Sequence, residues 1–201
     1  MIRATAKWLS ALMASFMLSG CVGQVWTGVT MVYERHHIYR RFNDFQLSAD
    51  VNRVLFEDRY FKNPHNVIDV TVFRGEVLLS GHLYNKQQLR KAVRRVKKVD
   101  DYRRLYNQLT VQDKPSSSFI DGWITTKIRT KIIMDSTIDP NRFKVVTSDK
   151  TVYLLGTVRP KQGEKVLAIA RNTSHVKKVV MLWRYAVPVS RSAYKNRSEK
   201  G

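Results

Sequence analysis

From residue 44 onward, apolar side chains recur in a pattern that the chain uses twice. Leu47, Val51 and Leu55 are spaced at intervals of four, which predicts the buried face of a helix. Apolar and polar residues then alternate on both sides of a polar turn, which predicts a β-hairpin. In order, the first copy contains a helix at 47–55, a hairpin at 68–79, a helix at 89–96 and a strand at 105–111.

The second copy repeats this order with a helix at 123–132, a hairpin at 143–158, a helix at 166–170 and a strand at 179–187. The two hairpins align at a constant separation of 75 residues. The aligned pairs are Val70 with Val145, Val77 with Val152, Leu79 with Leu154, and Gly81 with Gly156. Self-similarity at a fixed separation indicates that each copy is one structural unit.

Two tandem units with the order α-β-β-α-β predict an α+β fold. Each unit is expected to form a three-stranded mixed sheet that two helices cover on one face, because this layering buries the apolar side of the sheet. Asn43 or Asp44 is expected to cap the first helix, since both residue types favour that position. Each unit has roughly 70 residues, near the lower size at which a core is stable without disulfides or metals.

The first twenty residues have the form of an export signal. Arg3 and Lys7 precede an uncharged apolar run at 8–17 that is shorter than the about 20 residues needed to span a bilayer. The run ends in Leu-Ser-Gly-Cys at 18–21, which resembles the lipobox of bacterial lipoproteins. The resemblance implies cleavage before Cys21 and covalent lipid on that cysteine, the alternative being that Cys21 is an ordinary buried residue.

Cys21 is the only cysteine of the chain, so no intramolecular disulfide can form. The covalent lipid is the only attached group we expect, and we expect no cofactor. Val22 stands where lipoproteins retained in the inner membrane usually have aspartate. These observations favour an outer-membrane protein that faces the periplasm and is anchored by lipid.

Composition and spacing divide the chain into six segments. Lys114, Pro115 and three serines are typical of a short linker, and the residues before 44 show no sustained apolar spacing. The predicted segments are a signal peptide at 1–20, a lipidated N-terminus and linker with at most one short helix at 21–43, the first unit at 44–113, a linker at 114–118, the second unit at 119–188 and a basic tail at 189–201.

The charge of the chain indicates the class of its partner. Lys and Arg number 36 against 16 Asp and Glu, which gives a formal charge of +20. Such a surface attracts nucleic acid or acidic membrane. Because an exported lipoprotein rarely meets nucleic acid, we expect an anionic partner of the envelope, which is an anionic phospholipid membrane, lipopolysaccharide or a cell-wall polymer.

The repeated unit resembles the BON domain, and a lipobox followed by two such units resembles the dual-BON outer-membrane lipoproteins. The stretch Trp-Ile-Thr-Thr-Lys-Ile-Arg at 123–129, followed by the hairpin at 143–156, carries the resemblance, which covers about residues 44–187. Asp101 and His175 stand where the family usually has a glycine after the second helix. A left-handed backbone at these residues would carry some strain.

The first helix of the second unit is the candidate binding site. With Ile124, Ile128 and Ile132 facing the sheet, Trp123 and its neighbours lie on another face, and tryptophan beside lysine suits a lipid headgroup region. The resemblance implies that this helix binds anionic phospholipid. The residues implied are Trp123, Thr126, Lys127, Thr130 and Lys131. The alternative is that Trp123 packs into a core or against the first unit and that the lysines form a solvated face.

We find no residue pattern that predicts catalysis or a metal site. His36 and His37 have no further histidine at a spacing typical of zinc ligands, and no nucleophile or glycine-rich phosphate loop is evident. The chain is therefore not expected to be an enzyme. The basic cluster at 90–98 is either a solvated helix face or a second anionic contact.

These features favour a lipid-binding module over a scaffold. The resemblance implies an outer-membrane lipoprotein that supports envelope integrity and stress tolerance, with division sites and envelope proteins as further partners. The alternative is an envelope scaffold or chaperone-like protein-interaction module without intrinsic lipid specificity. The sequence leaves open the lipid species, the protein partners, the oligomeric state, the orientation of the two units and the role of the basic tail.

Overall fold

The structure is a computed structural model that describes residues 31–113 and 118–186, with side chains from residue 43 onward. The predicted signal peptide, Cys21, most of the linker at 114–118 and the basic tail at 189–201 lie outside the described residues. The chain divides into two compact units, Met1–Ile38 and Tyr39–Gly201, and the second unit contains both repeats.

The predicted order of elements is confirmed in both repeats. The first comprises α1 (Met31–Phe56), β1 (Val67–Phe73), β2 (Glu76–Leu83), α2 (Lys86–Val96), β3 (Arg104–Asn107) and β4 (Thr110–Val111). The second comprises α3 (Ser118–Met134), β5 (Phe143–Ser148), β6 (Thr151–Val158), α4 (Pro160–Arg171), β7 (Lys178–Met181) and β8 (Arg184–Tyr185). Short 3-10 turns at Arg59–Phe61 and Pro140–Arg142 follow α1 and precede β5.

The first helix begins earlier than the sequence pattern indicated. It starts at Met31, inside the segment interpreted as a linker, because residues 31–43 lack the apolar stripe by which a helix is recognised. Asp44 therefore lies within the helix and does not cap it. Its carboxylate instead accepts the backbone N–H groups of Arg74 and Gly75, both at 2.7 Å, and so joins α1 to the β1–β2 turn.

Each repeat forms a mixed sheet, as the fold class predicted. In the first, β1 and β2 are antiparallel, with Val70 opposite Leu79, and β3 and β4 both pair in parallel with β2. The second sheet has the same order, with β7 and β8 parallel to β6. In each repeat, the predicted closing strand is therefore two short strands along one edge, and each sheet has four strands in total.

The helices cover one face of each sheet. Val77 and Leu79 of β2 point into the first core together with Val51 and Leu55 of α1, and all four are fully buried. In the second repeat, Val152 and Leu154 of β6 hold the equivalent positions in the core. At about 1.5–3 kcal/mol per large apolar side chain removed from water, these layers supply most of the stabilisation of each unit.

The opposite faces of the two sheets pack against one another. Leu78, which lies between two core residues on β2, joins Tyr153 and Leu155 of β6 in a separate apolar cluster. Phe73, Tyr106, Val146, Val180 and Leu182 complete this cluster. The two sheets are therefore buried on both sides, since helices cover one face and the other repeat covers the second.

Both turns that follow the second helix of a repeat use the left-handed backbone. Asp101 has φ +67° and His175 has φ +69°, at the two positions where glycine was expected from the family pattern. An L-residue in this conformation costs about 1–2 kcal/mol. The turns thus keep the geometry that glycine would give, at some cost in stability.

A polar cluster lies beside the apolar contact between the sheets. His82 is fully buried, and its Nδ1 lies 2.8 Å from a carboxylate oxygen of Asp149 in the other repeat. The Ser148 hydroxyl donates to Asp69 at 2.8 Å. Two pairs that cross the interface therefore fix the register of one repeat on the other.

Replacing Asp69 with asparagine is expected to raise the melting temperature at pH 7. Burial raises the pKa of Asp69, and the nearby Asp121 and Asp149 carboxylates act in the same direction. A carboxyl whose pKa is higher in the folded state favours folding when protonated, below about pH 4, and this contribution is lost as the pH rises through the folded pKa. Asparagine does not ionise, so the increase in melting temperature over the parent chain should vanish by pH 3.

The melting temperatures of both forms across pH 3–8 check this expectation. Asp100→Asn removes one negative charge from an exposed position and is the matched control. An Asp69→Asn melting temperature that falls below that of the parent chain at pH 7 would contradict the assigned direction.

Candidate functional site

The first helix of the second repeat, α3, has one buried face and one open face. Ile124 and Ile128 are fully buried and Ile132 is 3% exposed, as the spacing predicted, and the helix packs on β5 and α4. The predicted site residues all lie away from this core. Trp123, Thr126, Thr130 and Lys131 are exposed, and Lys127 is half-buried. Because they are spaced three or four residues apart, they lie along one side of the helix.

Trp123 lies at the surface of the second repeat. It is 40% exposed and belongs to neither core, whereas Trp183 packs against the core of the same repeat. Trp123 is therefore not a core residue of the second repeat. The rings of Trp123 and His175 are nearly perpendicular with their centroids 5.4 Å apart, and Lys127 Nζ lies 4.5 Å from the centroid of the Trp123 ring.

Three apolar side chains of α3 that the sequence reasoning did not assign to the site also face solvent. Phe119 is 84% exposed, Ile133 is 65% exposed and Met134 is 80% exposed. Phe119 stands four residues before Trp123, so the same helical spacing could have identified it. Together these residues extend the apolar surface along the full length of the helix, with Lys127 and Lys131 between them. We call this surface, made of Phe119, Trp123, Thr126, Lys127, Thr130, Lys131, Ile133 and Met134, the α3 face.

The N-terminal turn of α3 is held by Asp121. Its carboxylate is buried and accepts the backbone N–H groups of Asp149 and Lys150, both at 2.8 Å. Both turn residues have positive φ, at +50° and +60°. The arrangement repeats the contact of Asp44 with the first hairpin turn. Asp121 therefore fixes the angle at which α3 leaves the sheet, and with it the position of the α3 face.

The repeated unit matches a known protein family. The BON domain matches residues 43–113 and 120–184, which together are more than half of the chain. The chain belongs to the BON domain family. The resemblance inferred from the Trp-Ile-Thr-Thr-Lys stretch is thus confirmed.

One of the similar curated proteins is an outer-membrane lipoprotein by name. The chain is 30% identical to the outer membrane lipoprotein DolP of Haemophilus influenzae over 86% of its own length and 92% of that protein. It is 29% identical to a 21 kDa hemolysin of Actinobacillus pleuropneumoniae over 59% of this chain and 62% of the relative. It is 28% identical to the osmotically-inducible protein Y of Escherichia coli over 68% of this chain and 70% of the relative. The chain is therefore an envelope-associated BON protein, and its similarity to DolP supports an outer-membrane location.

The first BON domain carries a basic helix, α2. Arg90 and Arg94 are exposed on this helix, and Lys97 and Lys98 are exposed just after its end. Arg95 has a structural role, because it donates to the carbonyl oxygens of Val54 and Leu55 and pairs with Asp58. The hydrogen bond from Arg95 lowers the pKa of Asp58 to about 2.

Neither BON domain presents a metal-binding constellation. Among residues 31–113 and 118–186, no group of three or more His, Cys, Asp or Glu side chains could hold a metal ion. Within the same residues, no helix is long and apolar enough to cross a membrane.

Proposed function

We propose that this chain is an outer-membrane lipoprotein, anchored through lipid on Cys21 and facing the periplasm, whose second BON domain binds anionic phospholipid through the α3 face. The observation that carries the proposal is the exposed Trp123 ring with Lys127 beside it. Tryptophan partitions to the headgroup region of a bilayer, where its ring is buried and its N–H remains hydrated.

The surroundings of Trp123 support this assignment. Phe119 and Met134, at opposite ends of α3, are exposed by 84% and 80% and can enter the acyl boundary on either side of the ring. Lys127 and Lys131 lie between them, and each lysine near an acidic membrane contributes about 1 kcal/mol of attraction. A helix that combines these side chains on one side lies on a membrane surface and does not cross it.

A lipid-binding BON domain on a lipid anchor has a second contact with the same membrane. The anchor keeps the chain at the outer membrane, and the α3 face then responds to the local density of acidic lipid. Through this coupling, the protein would support envelope integrity and stress tolerance and concentrate at division sites. The scaffold alternative predicts that the anchor alone provides attachment and that the BON domains bind another envelope protein.

Changing Trp123 to glutamate is expected to weaken vesicle binding strongly in the chain from residue 22 to 201. This chain lacks the proposed anchor, and both hydrophobic cores lie within it, so attachment must come from the folded domains. The charge opposes acidic lipid and the loss of the ring removes about 2 kcal/mol of burial, so binding should weaken more than about tenfold. Co-sedimentation with vesicles containing phosphatidylglycerol measures the effect.

Phe45→Glu is the matched control, because Phe45 is a 74% exposed aromatic residue of the first BON domain. It should bind acidic vesicles as the parent chain does. High salt should weaken binding of the parent chain, since exposed charges are screened. Equal binding by the Trp123→Glu and parent chains would reject the α3 face and favour the protein scaffold.

A further inference from the structure

A crevice between the two BON domains brings together four arginines from four separate segments. It has a volume of about 520 Å³ and opens beside the contact of the two sheets. Arg74 comes from the β1–β2 turn, Arg103 from the loop before β3, Arg142 from the turn before β5 and Arg184 from β8. Pockets at domain boundaries with converging polar groups are common ligand sites.

Acidic partners offset only part of this positive charge. Among the described residues that line the crevice, Glu76 is the one acid, and its buried carboxylate lies 2.9 Å from Arg184 Nη2. Asp139, outside the crevice, accepts from Arg142 Nε at 3.1 Å. Arg74 Nη2 donates to the carbonyl oxygen of Asn141 at 3.0 Å. The other three arginines, Arg103, Arg142 and Arg184, therefore meet one carboxylate among the described lining residues. Like charges brought together in this way oppose the docking of the two domains unless an anion lies between them.

One of the guanidinium groups retains an unused donor. Arg184 Nε is buried and has no hydrogen-bond acceptor in the part of the chain that the structure describes. A buried N–H without a partner is costly, and it is usually explained by a missing ligand or water. The Arg103 side chain lies against Gly75, and its Cδ is about 3.0 Å from the position that a Cβ at Gly75 would occupy. Arg103 is exposed at the rim of the crevice.

We propose that this crevice binds a phosphate group. Guanidinium forks match the oxygens of phosphate, and several arginines around one anion are typical of phosphate recognition. A carboxylate would balance one positive charge, whereas a phosphate monoester carries up to two and presents more oxygens to donors on opposite walls. The site is formed by both domains, so binding would also hold them together. It is separate from the α3 face and does not depend on the lipid-binding proposal.

The phosphate group has two chemical sources, the headgroup of a phospholipid and free phosphate or a soluble phosphate ester. A phosphodiester headgroup offers two non-bridging oxygens and a phosphate monoester offers three, so either can accept from both Arg103 and Arg142. The sources differ in what else must approach, since a headgroup brings a bilayer to the mouth of the crevice and a soluble ester does not. Inorganic phosphate is therefore the first probe, and phosphatidylglycerol vesicles are the second.

Titrating the chain from residue 22 to 201 with inorganic phosphate tests the proposal. At constant ionic strength set with chloride, the Arg184 Nε–H resonance is expected to shift in a saturable way, and the melting temperature is expected to rise. Arg103→Gln and Arg142→Gln should each weaken phosphate binding about tenfold, the value of one charge-assisted hydrogen bond. Arg103→Lys, which keeps the charge and loses the fork, should weaken it less.

Arg90→Gln removes the same charge from an exposed position on α2 and should leave phosphate binding unchanged. Trp123→Glu should also leave it unchanged, which separates this site from the α3 face. The absence of a saturable shift, or an equal shift in the Arg103→Gln and Arg142→Gln double variant, would overturn the proposal. In the vesicle arm, weaker binding of the double variant identifies the headgroup as the source, and unchanged vesicle binding with weakened phosphate binding identifies a soluble phosphate.

Discussion

Replacing Gly156 with alanine is expected to lower the free energy of unfolding by about 3 kcal/mol or more. Gly156 has φ +147°, a backbone conformation that L-residues rarely adopt. A Cβ there would lie 2.0 Å from the carbonyl oxygen of Arg142, which belongs to the backbone and cannot rotate away. The strand β6 would have to separate from the start of β5, where Gly156 pairs with Phe143.

Gly122→Ala is the matched control within the same domain. Gly122 lies inside α3, and a Cβ there meets nothing within 4 Å. Alanine in an exposed helix interior is favoured over glycine by about 0.5–1 kcal/mol, so this variant should be slightly more stable than the parent chain. Chemical denaturation of both variants measures the difference. A Gly156→Ala variant as stable as Gly122→Ala would show that the backbone at this position is not constrained.

The constraint at Gly156 explains one feature that the sequence predicted well. Gly81, 75 residues earlier, has φ +107° and a backbone oxygen, that of Val67, at 2.2 Å from where its Cβ would stand. The same close approach of the chain to itself thus recurs in each hairpin. Repeated strands, hairpins and glycines were predictable because each depends on residues near one another in the sequence.

The contact between the two domains was not predicted, although the sequence carries a signal for it. Strands with one buried face alternate apolar and polar residues, whereas those buried on both faces have continuous apolar runs. Val77, Leu78 and Leu79 form such a run in β2, and 152–155 form another in β6. The hairpin interpretation used only every second residue of these runs. The intervening residues are the ones that join the two sheets.

The two candidate sites differ in how far they could be predicted. The α3 face lies on one helix, so the spacing of Trp123, Lys127 and Thr130 was sufficient to place them on one side. The arginine crevice is formed by residues from 74 to 184, and only the docking of one domain on the other brings them together. Single-sequence patterns report neighbours along a helix or strand and contain no direct signal for such a site.

The mutation Leu155→Ala is expected to weaken the first domain although it lies in the second. Leu155 is fully buried in the apolar contact between the sheets, where it clusters with Leu78 of β2. Truncating a buried leucine costs about 2–5 kcal/mol, according to how far the site can collapse around the cavity. Part of this lost free energy comes from the contact between the two domains, so β2 of the first domain should become less protected from amide hydrogen exchange.

Leu154→Ala provides the comparison, because Leu154 precedes Leu155 on the same strand and is equally buried, but points into the core under α3 and α4. The free energy of unfolding lost in Leu154→Ala should fall within the same range of about 2–5 kcal/mol. The lost protection should be concentrated in β5, β6 and β7. Residue-resolved hydrogen exchange therefore distinguishes a contact that stabilises one domain from a contact that couples two. If Leu155→Ala leaves β2 as protected as in the parent chain, the sheets do not stabilise one another, and the arginine crevice loses the rigid walls that a phosphate site requires.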